Sequence, residues 1–202
     1  MHSDSDMNID IDAVHDFWFG PLDTSGMAAP QQHALWFTKS EKTDLHCAEN
    51  FGGLVRRALA GELAHWRESP RGRVALVLLL DQFTRNIYRG SAEAFAGDPQ
   101  ARALSLQTLA AGQHRSWPAI HQVFLFMPLE HSEDLALQEQ CVALFEQLAA
   151  DTGIAQIVDF GRYAQAHRAV IEQFGRFPHR NAALGRLNTA AEAAYLATNS
   201  GF

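Results

Sequence analysis

The chain has 202 residues, a length typical of one domain built around one hydrophobic core. Apolar residues make up 47% and charged residues 19% of it, a globular composition, and its longest aliphatic run, residues 74–80, is too short to cross a bilayer. The net charge of −7 argues against nucleic acid or an anionic membrane as the main partner, because both require a basic surface.

The amino terminus is acidic, with five aspartates in the first sixteen residues. We predict that residues 1–7 form a disordered acidic tail and that residues 8–202 form a single helical domain. This start differs from the cationic start of a secretory signal, and Cys47 and Cys141 form no C-x-x-C motif. The sequence therefore predicts a cytoplasmic protein.

Every clear periodic segment has helical spacing. The first helix is predicted to end at Gly20-Pro21, and a short helix to span residues 31–37. Ser40 is predicted to cap the next helix, and Ser69-Pro70 the aliphatic helix that runs through Leu80. Because this aliphatic helix is apolar on all sides, we expect it at the centre of the fold.

The second half of the chain contains five more predicted helices. They cover approximately residues 99–111, 119–126, 133–150, 154–174 and 190 onward. Caps are predicted at Asp98, Ser132 and Thr189. Eight or nine helices with short connections predict an all-α array, either a bundle or paired antiparallel hairpins of the solenoid type.

The aliphatic helix continues into charged residues. Asp81, Arg85 and Arg89 are four residues apart and therefore share one face of the helix. An unpaired buried charge costs several kcal/mol, so these side chains must be paired or must project into a polar cavity. We favour an i,i+4 salt bridge that fixes the helix end over contact with a ligand, and Asn86 fits either arrangement.

Two further segments carry candidate catalytic residues. Residues 127–132 place Glu130 and His131 in a junction between two apolar helices, where a carboxylate beside an imidazole is suited to acid–base chemistry or to a structural hydrogen-bond network. His167 lies on the buried stripe of the predicted helix 154–174, a position more typical of a hydrogen-bonded core residue than of a catalyst. We take Glu130, His131 and His167 as candidate catalytic residues.

A polar turn follows at residues 175–181. It carries four hydrogen-bonding side chains: Arg176, His179, Arg180 and Asn181. Arginines in such a turn are suited to bind a carboxylate or phosphate bidentately. The alternative is that they cap the preceding helix and pair with Asp81 or Glu130.

Motifs for metals and cofactors are poorly represented. The spacing of Glu62 and His65 fits one half of a di-iron site, but the sequence has no second copy of it. There is no glycine-rich phosphate-binding or dinucleotide-binding motif. The sequence therefore predicts no metal site and no cofactor.

Four separated motifs resemble a known bacterial family. They are residues 16–20 (DFWFG), 80–90 (LDQFTRNIYRG), 127–133 (MPLEHSE) and 174–181 (FGRFPHRN). In this order they are similar to the family catalogued as domain of unknown function 924, from about Val14 to the end of the chain. The resemblance implies an all-helical fold similar to tetratricopeptide-like superhelices and brings no activity with it. Thr84 departs from the family pattern, where proline is expected.

Taken together, these features predict a cytoplasmic helical protein that binds a small anionic molecule or an acidic peptide in a polar cleft. The expected ligand-binding residues are Asp81, Arg85, Asn86, Arg89, Arg176, His179, Arg180 and Asn181. One alternative is an enzyme in which Glu130 and a histidine form an acid–base pair acting on a small metabolite. Another is a protein-interaction module in which the charged motifs only specify helix packing.

Overall fold

The computed structural model describes residues 4–199, and this part of the chain is all-α. Within it there is no β-strand; one antiparallel bridge joins Leu22 and Ala28. The predicted fold class is confirmed. None of the helices in this range is both long enough and apolar enough to span a bilayer.

The helices follow one another with short connections. The α-helices are α1 Asp4–Trp18, α2 Gln32–Phe37, α3 Glu41–Leu59, α4 Pro70–Val77, α5 Thr84–Ile87, α6 Asp98–Ala110, α7 Ala119–Glu130, α8 Leu135–Thr152, α9 Ala155–Phe174 and α10 Ala190–Leu196. A π-helical segment, Leu78–Phe83, continues α4 directly into α5. Short 3-10 turns lie at Ala64–Glu68, Ala92–Phe95, Gln113–Ser116 and Pro178–Arg180.

Contacts between helices divide the chain into two compact units. Unit 1 extends to Arg89 and includes Glu93–Pro128, whereas unit 2 contains Gly90–Ala92 and the chain from Leu129 onward. The prediction of one domain over residues 8–202 stays a prediction, because such contacts do not measure whether the two units unfold together. Residues 1–3 of the predicted tail lie outside the described residues, and the chain is helical from Asp4.

The aliphatic helix lies in the core of unit 1. Every residue from Val74 to Asp81 is buried. Its start follows the predicted signal, since the Ser69 Oγ accepts a hydrogen bond from the Gly72 N–H at 3.0 Å and Pro70 occupies the first turn. The π-helical segment was not predicted, because a helix that is apolar on every side gives no periodic signal at which a change of winding would show.

Of the other predicted caps, two are confirmed and two are wrong. Ser40 accepts a hydrogen bond from the Thr43 N–H, and Thr189 forms a capping box with Glu192. Gly97 rather than Asp98 precedes α6, and Asp98 instead binds an arginine of unit 1. Asp134 rather than Ser132 caps α8, accepting hydrogen bonds from the Ala136 and Leu137 N–H groups.

Two buried histidines lie edge to face in unit 1. His15 on α1 and His121 on α7 have ring centroids 4.9 Å apart and are 2% and 6% exposed. His15 Nε2 donates a hydrogen bond to the Arg71 carbonyl at 2.9 Å. Burial lowers the pKa of His15 to about 4, although the nearby carboxylates of Asp12 and Asp16 act to raise it. Burial, together with His15 and Arg71, lowers the pKa of His121 to about 3.

We expect the free energy of unfolding to decrease as the pH falls below 6.5. The unfolded chain binds protons on both histidines near the ordinary pKa of 6.5, whereas the folded protein keeps them neutral until about pH 4. For His15 this difference corresponds to a loss of about 2 kcal/mol between pH 7 and pH 5, and His121 contributes in the same direction. Urea unfolding at pH 7, 6 and 5 measures the effect.

The matched variants for this measurement are His121→Leu and His65→Gln. The leucine removes one of the buried titrating groups, so the pH dependence of stability should become shallower. His65 is exposed, so its replacement should leave that dependence unchanged. An equally steep pH dependence in His121→Leu would show that other groups cause it.

Candidate functional site

The candidate site lies in unit 2, at the carboxyl end of α7. Residues 127–132 were predicted as a junction, but α7 continues through Pro128 to Glu130. His131 and Ser132 then turn the chain toward α8. Glu130 therefore projects from the last turn of a helix rather than from a loop.

Gln138 on α8 holds this helix end in place. Its side chain is fully buried, and its Nε2 donates hydrogen bonds to the carbonyls of Glu130 at 2.5 Å and Ser132 at 2.7 Å. The last carbonyls of a helix have no intrahelical N–H donor, so the buried amide of Gln138 supplies the missing donor. The backbone position of Glu130 is thereby fixed.

Glu130 and His167 form a buried hydrogen-bonded pair. Glu130 Oε1 lies 3.1 Å from His167 Nδ1, and each side chain is 7% exposed. The same Nδ1 lies 2.9 Å from the Tyr163 carbonyl oxygen. Because both facing atoms are acceptors, Nδ1 carries the proton, and in the neutral ring Nε2 carries the lone pair.

His167 is a neutral partner in this pair. Burial, and then the neighbouring His131, lower the pKa of His167 to about 3. At pH 7 the contact with Glu130 is therefore a hydrogen bond from a neutral imidazole to a carboxyl oxygen and not an ion pair. The ring orientation is set by two acceptors at once, as in sites where a histidine must present one chosen nitrogen.

His131 completes a three-residue group that we call the Glu130 cluster: Glu130, His131 and His167. One metal-ligand-type atom from each residue lies within 4.8 Å of the other two. The His131 and His167 ring centroids are 6.1 Å apart. Glu130 and His167 are buried and His131 is half-buried, so the cluster extends from the interior of unit 2 toward its surface.

The polar turn at residues 175–181, here called the Arg180 loop, packs against this cluster. Gly175 ends α9 in the left-handed conformation, with φ of 70°. The Phe177 ring lies edge-on to His167, with centroids 5.6 Å apart. The Arg180 guanidinium carbon lies 4.4 Å above the Phe177 ring, and Arg180 is 6% exposed. Arg180 and His179 contribute to the lowered pKa of His167, after burial and His131.

A bidentate ion pair fixes the start of this loop. Arg186 donates to both carboxylate oxygens of Glu133, at 2.7 and 2.9 Å, and the Phe177 N–H donates to Glu133 Oε1 at 2.8 Å. Arg186 also donates to the Phe177 carbonyl at 3.1 Å. These bonds hold Phe177, and with it the surface on which Arg180 stacks.

Arg176 and Asn181 have partners within the same unit. Arg176 donates to both oxygens of Glu192, at 2.6 and 2.8 Å, and Asn181 Nδ2 donates to Asn188 Oδ1 at 2.7 Å. The structural alternative expected for the arginines of this turn was pairing with Asp81 or Glu130. The partner of Arg176 is instead the glutamate that closes the capping box of α10.

In unit 1, Arg85 is held between two carboxylates. Its Nη1 lies 3.2 Å from Asp81 Oδ1, and its guanidinium binds both oxygens of Asp98, at 2.8 and 3.1 Å. The favoured i,i+4 salt bridge is therefore present. Asp98 was missed as its second partner, because its place before Pro99 matches a helix cap and nothing in the local pattern points to Arg85.

Asn86 and Arg89 bind a third carboxylate of unit 1. Asn86 Nδ2 donates to Asp44 Oδ1 at 2.8 Å, and Arg89 binds both oxygens of Asp44, at 2.7 and 2.8 Å. The structure thus gives the cations of this motif partners within the chain. A role for these residues in ligand binding stays a prediction.

The comparisons with other proteins agree with this architecture. The model of a family described as bacterial protein of unknown function (DUF924) matches residues 14–200. The chain belongs to the DUF924 family. It is also similar to a solved structure, the protein of unknown function ATU0120 from Agrobacterium tumefaciens, at 32% identity, over 96% of this chain and 100% of that chain, with a TM-score of 0.80. No curated protein matches it.

Two of the four motifs that carry the resemblance contribute to the site of this DUF924 protein. The motif at 127–133 supplies Glu130 and His131, and the motif at 174–181 supplies Phe177, His179 and Arg180. His167 comes from α9, between them. The family resemblance is confirmed, whereas the tetratricopeptide-like superhelix stays a prediction.

Proposed function

We propose that the protein binds a small anionic molecule beside the Glu130 cluster, with Arg180 as the main contact and His131 and His179 as further donors. The observation that carries the proposal is a buried guanidinium stacked on Phe177 next to three imidazoles. Arginine stays charged in such a setting and matches the planar geometry of phosphate and carboxylate. His131 and His179 are half-buried, so solvent reaches the site through them.

Arg180 lies beside the Glu130 cluster, since it contributes to the lowered pKa of His167 and stacks on Phe177, whose ring contacts His167. The proposal therefore concerns the Arg180 side of unit 2. An acid–base role for Glu130, His131 or His167 and a pure interaction module stay predictions.

Inorganic phosphate is the probe for this proposal. We expect isothermal titration calorimetry at pH 7 to show phosphate binding to the full chain, with the Kd at least about tenfold weaker in Arg180→Met, since one charge-assisted hydrogen bond is lost. The methionine keeps an apolar stem against Phe177. Circular dichroism establishes that the variant is folded.

Two further variants make the phosphate test specific. Arg180→Lys keeps the positive charge but loses the planar guanidinium that donates two parallel hydrogen bonds. Its Kd for phosphate should therefore lie between those of wild type and Arg180→Met. Arg162→Met changes an exposed arginine of α9 and should leave the Kd unchanged. Equal phosphate affinity in wild type and Arg180→Met, or no binding at all, would overturn the proposal.

A further inference from the structure

We infer that the Glu130 cluster binds a divalent transition-metal ion and that zinc fits its donors best. The cluster offers one carboxylate and two imidazoles. Zinc sites in enzymes commonly use this donor set and keep a fourth position open. Calcium and magnesium prefer sites made of oxygen atoms, so two imidazoles argue against them.

The spacing of the donors is close to that of a tetrahedral site. With metal–ligand distances of about 2.0–2.2 Å, the ligand atoms of tetrahedral zinc lie roughly 3.3 Å from one another. One ligand-type atom from each of the three residues lies within 4.8 Å of the others. The donor atoms therefore need to move together by about 1.5 Å or less to reach tetrahedral spacing. His131 is half-buried and lies just past the end of α7, so its side chain is placed to make this movement.

The contact between Glu130 and His167 already has the spacing of two ligands of one metal ion. Glu130 Oε1 lies 3.1 Å from His167 Nδ1, close to the separation of about 3.3 Å expected in a tetrahedral zinc site. Metal binding at this nitrogen would displace its proton and the hydrogen bond to the Tyr163 carbonyl at 2.9 Å, so zinc affinity should rise with pH. Gln138 fixes the backbone of Glu130, and the Phe177 ring covers one side of His167.

The charges around the cluster fit an anion as the fourth ligand, and in this respect the inference rests on the proposed function. A divalent ion would exceed the single negative charge of Glu130, and Arg180 and His179 lie close to His167. An anion would then bind the open metal position and Arg180 together. The binding of the metal itself depends only on the Glu130 cluster.

Zinc alone is the first probe. We expect tag-free, EDTA-treated protein to bind one equivalent of Zn²⁺ at pH 7.5, measured by competition with a chromogenic chelator, with a Kd of about micromolar or tighter. Zinc should raise the Tm, because the metal binds the folded state. Co²⁺ should give the visible absorption bands of a four-coordinate site with nitrogen and oxygen ligands.

Substitutions locate the zinc site. His131→Gln changes a half-buried side chain at the end of a helix and should weaken zinc binding about 100-fold or more, and the buried His167→Gln should do the same if it folds. The exposed His65→Gln should bind zinc as wild type does. Unchanged zinc affinity in His131→Gln, or no zinc binding by wild type, would overturn the inference.

The two proposals are separated by titrating phosphate in EDTA and zinc without phosphate. Arg180→Met should lose phosphate affinity and keep zinc affinity. If the protein binds phosphate in EDTA but does not bind zinc, the metal site is overturned and the proposed function stands. If the protein binds zinc but binds phosphate neither in EDTA nor in the zinc-loaded state, the proposed function is overturned and the metal site stands.

Discussion

Replacing Arg85 with methionine is expected to lower the free energy of unfolding by about 3–5 kcal/mol, because it removes the cation that two carboxylates share. Asp81 is fully buried, and the side chain of Asp98 is 16% exposed. Gln82 Nε2 also donates to Asp81 Oδ2 at 2.6 Å, but an amide does not neutralise a buried charge. Urea unfolding at pH 7 measures the loss.

Arg89→Met is the matched control for Arg85→Met. Arg89 follows one turn later and binds Asp44, but its side chain is 38% exposed, so solvent screens the pair and its loss should cost about 1 kcal/mol or less. In the Arg85→Met background, Asp81→Asn and Asp98→Asn should recover part of the stability, because they remove the charges left behind. Equal losses in Arg85→Met and Arg89→Met would contradict the central role of Arg85.

The parts of the fold that could be predicted from sequence are those set by neighbours in the chain. The caps at Ser40, Ser69 and Thr189 each depend on a bond to a residue three positions later, so a short motif contains all the information. The buried stripe of α9 is likewise local, and it placed His167 in the interior. Local bonding therefore accounts for the agreement.

The two wrong caps have different causes. Asp98 has the sequence of a cap, but Arg85, thirteen positions earlier, binds its carboxylate, and nothing in the local motif reveals that partner. Ser132 also has the sequence of a cap, but Asp134, two positions later, accepts the hydrogen bonds from the Ala136 and Leu137 N–H groups. Both residues are good caps, so residue type alone could not choose between them.

The candidate site shows the same division. Glu130 and His131 were noticed because they are adjacent, and His167 because it interrupts an apolar stripe. Their convergence depends on how α7 and α9 are placed, which no short pattern encodes. Gln138 and Phe177 were missed because a glutamine on a helix and a phenylalanine in a turn carry no chemical signal until their contacts are known.

Gly97→Ala is expected to lower the free energy of unfolding by about 3 kcal/mol, because overpacking at a site that cannot yield is costly. A Cβ at this position would collide with the Leu80 carbonyl oxygen, a backbone atom of the π-helical segment. Gly97 has φ of −86° and ψ of −12°, which alanine adopts without strain, so the effect isolates the contact.

Gly53→Ala provides the opposite case for Gly97→Ala. Gly53 lies in α3, and a Cβ added there would have no heavy atom within 4 Å, so alanine should stabilise the protein by about 0.5–1 kcal/mol through helix propensity. Urea unfolding of both variants gives the comparison, and an unchanged stability in Gly97→Ala would show that the backbones are not in tight contact.

Asp98 follows Gly97 directly, so the close approach that leaves no room for a side chain at Gly97 also brings the Asp98 carboxylate to 2.8 Å from Arg85. Gly97→Ala should therefore also weaken the ion pairs on which the Arg85 prediction depends.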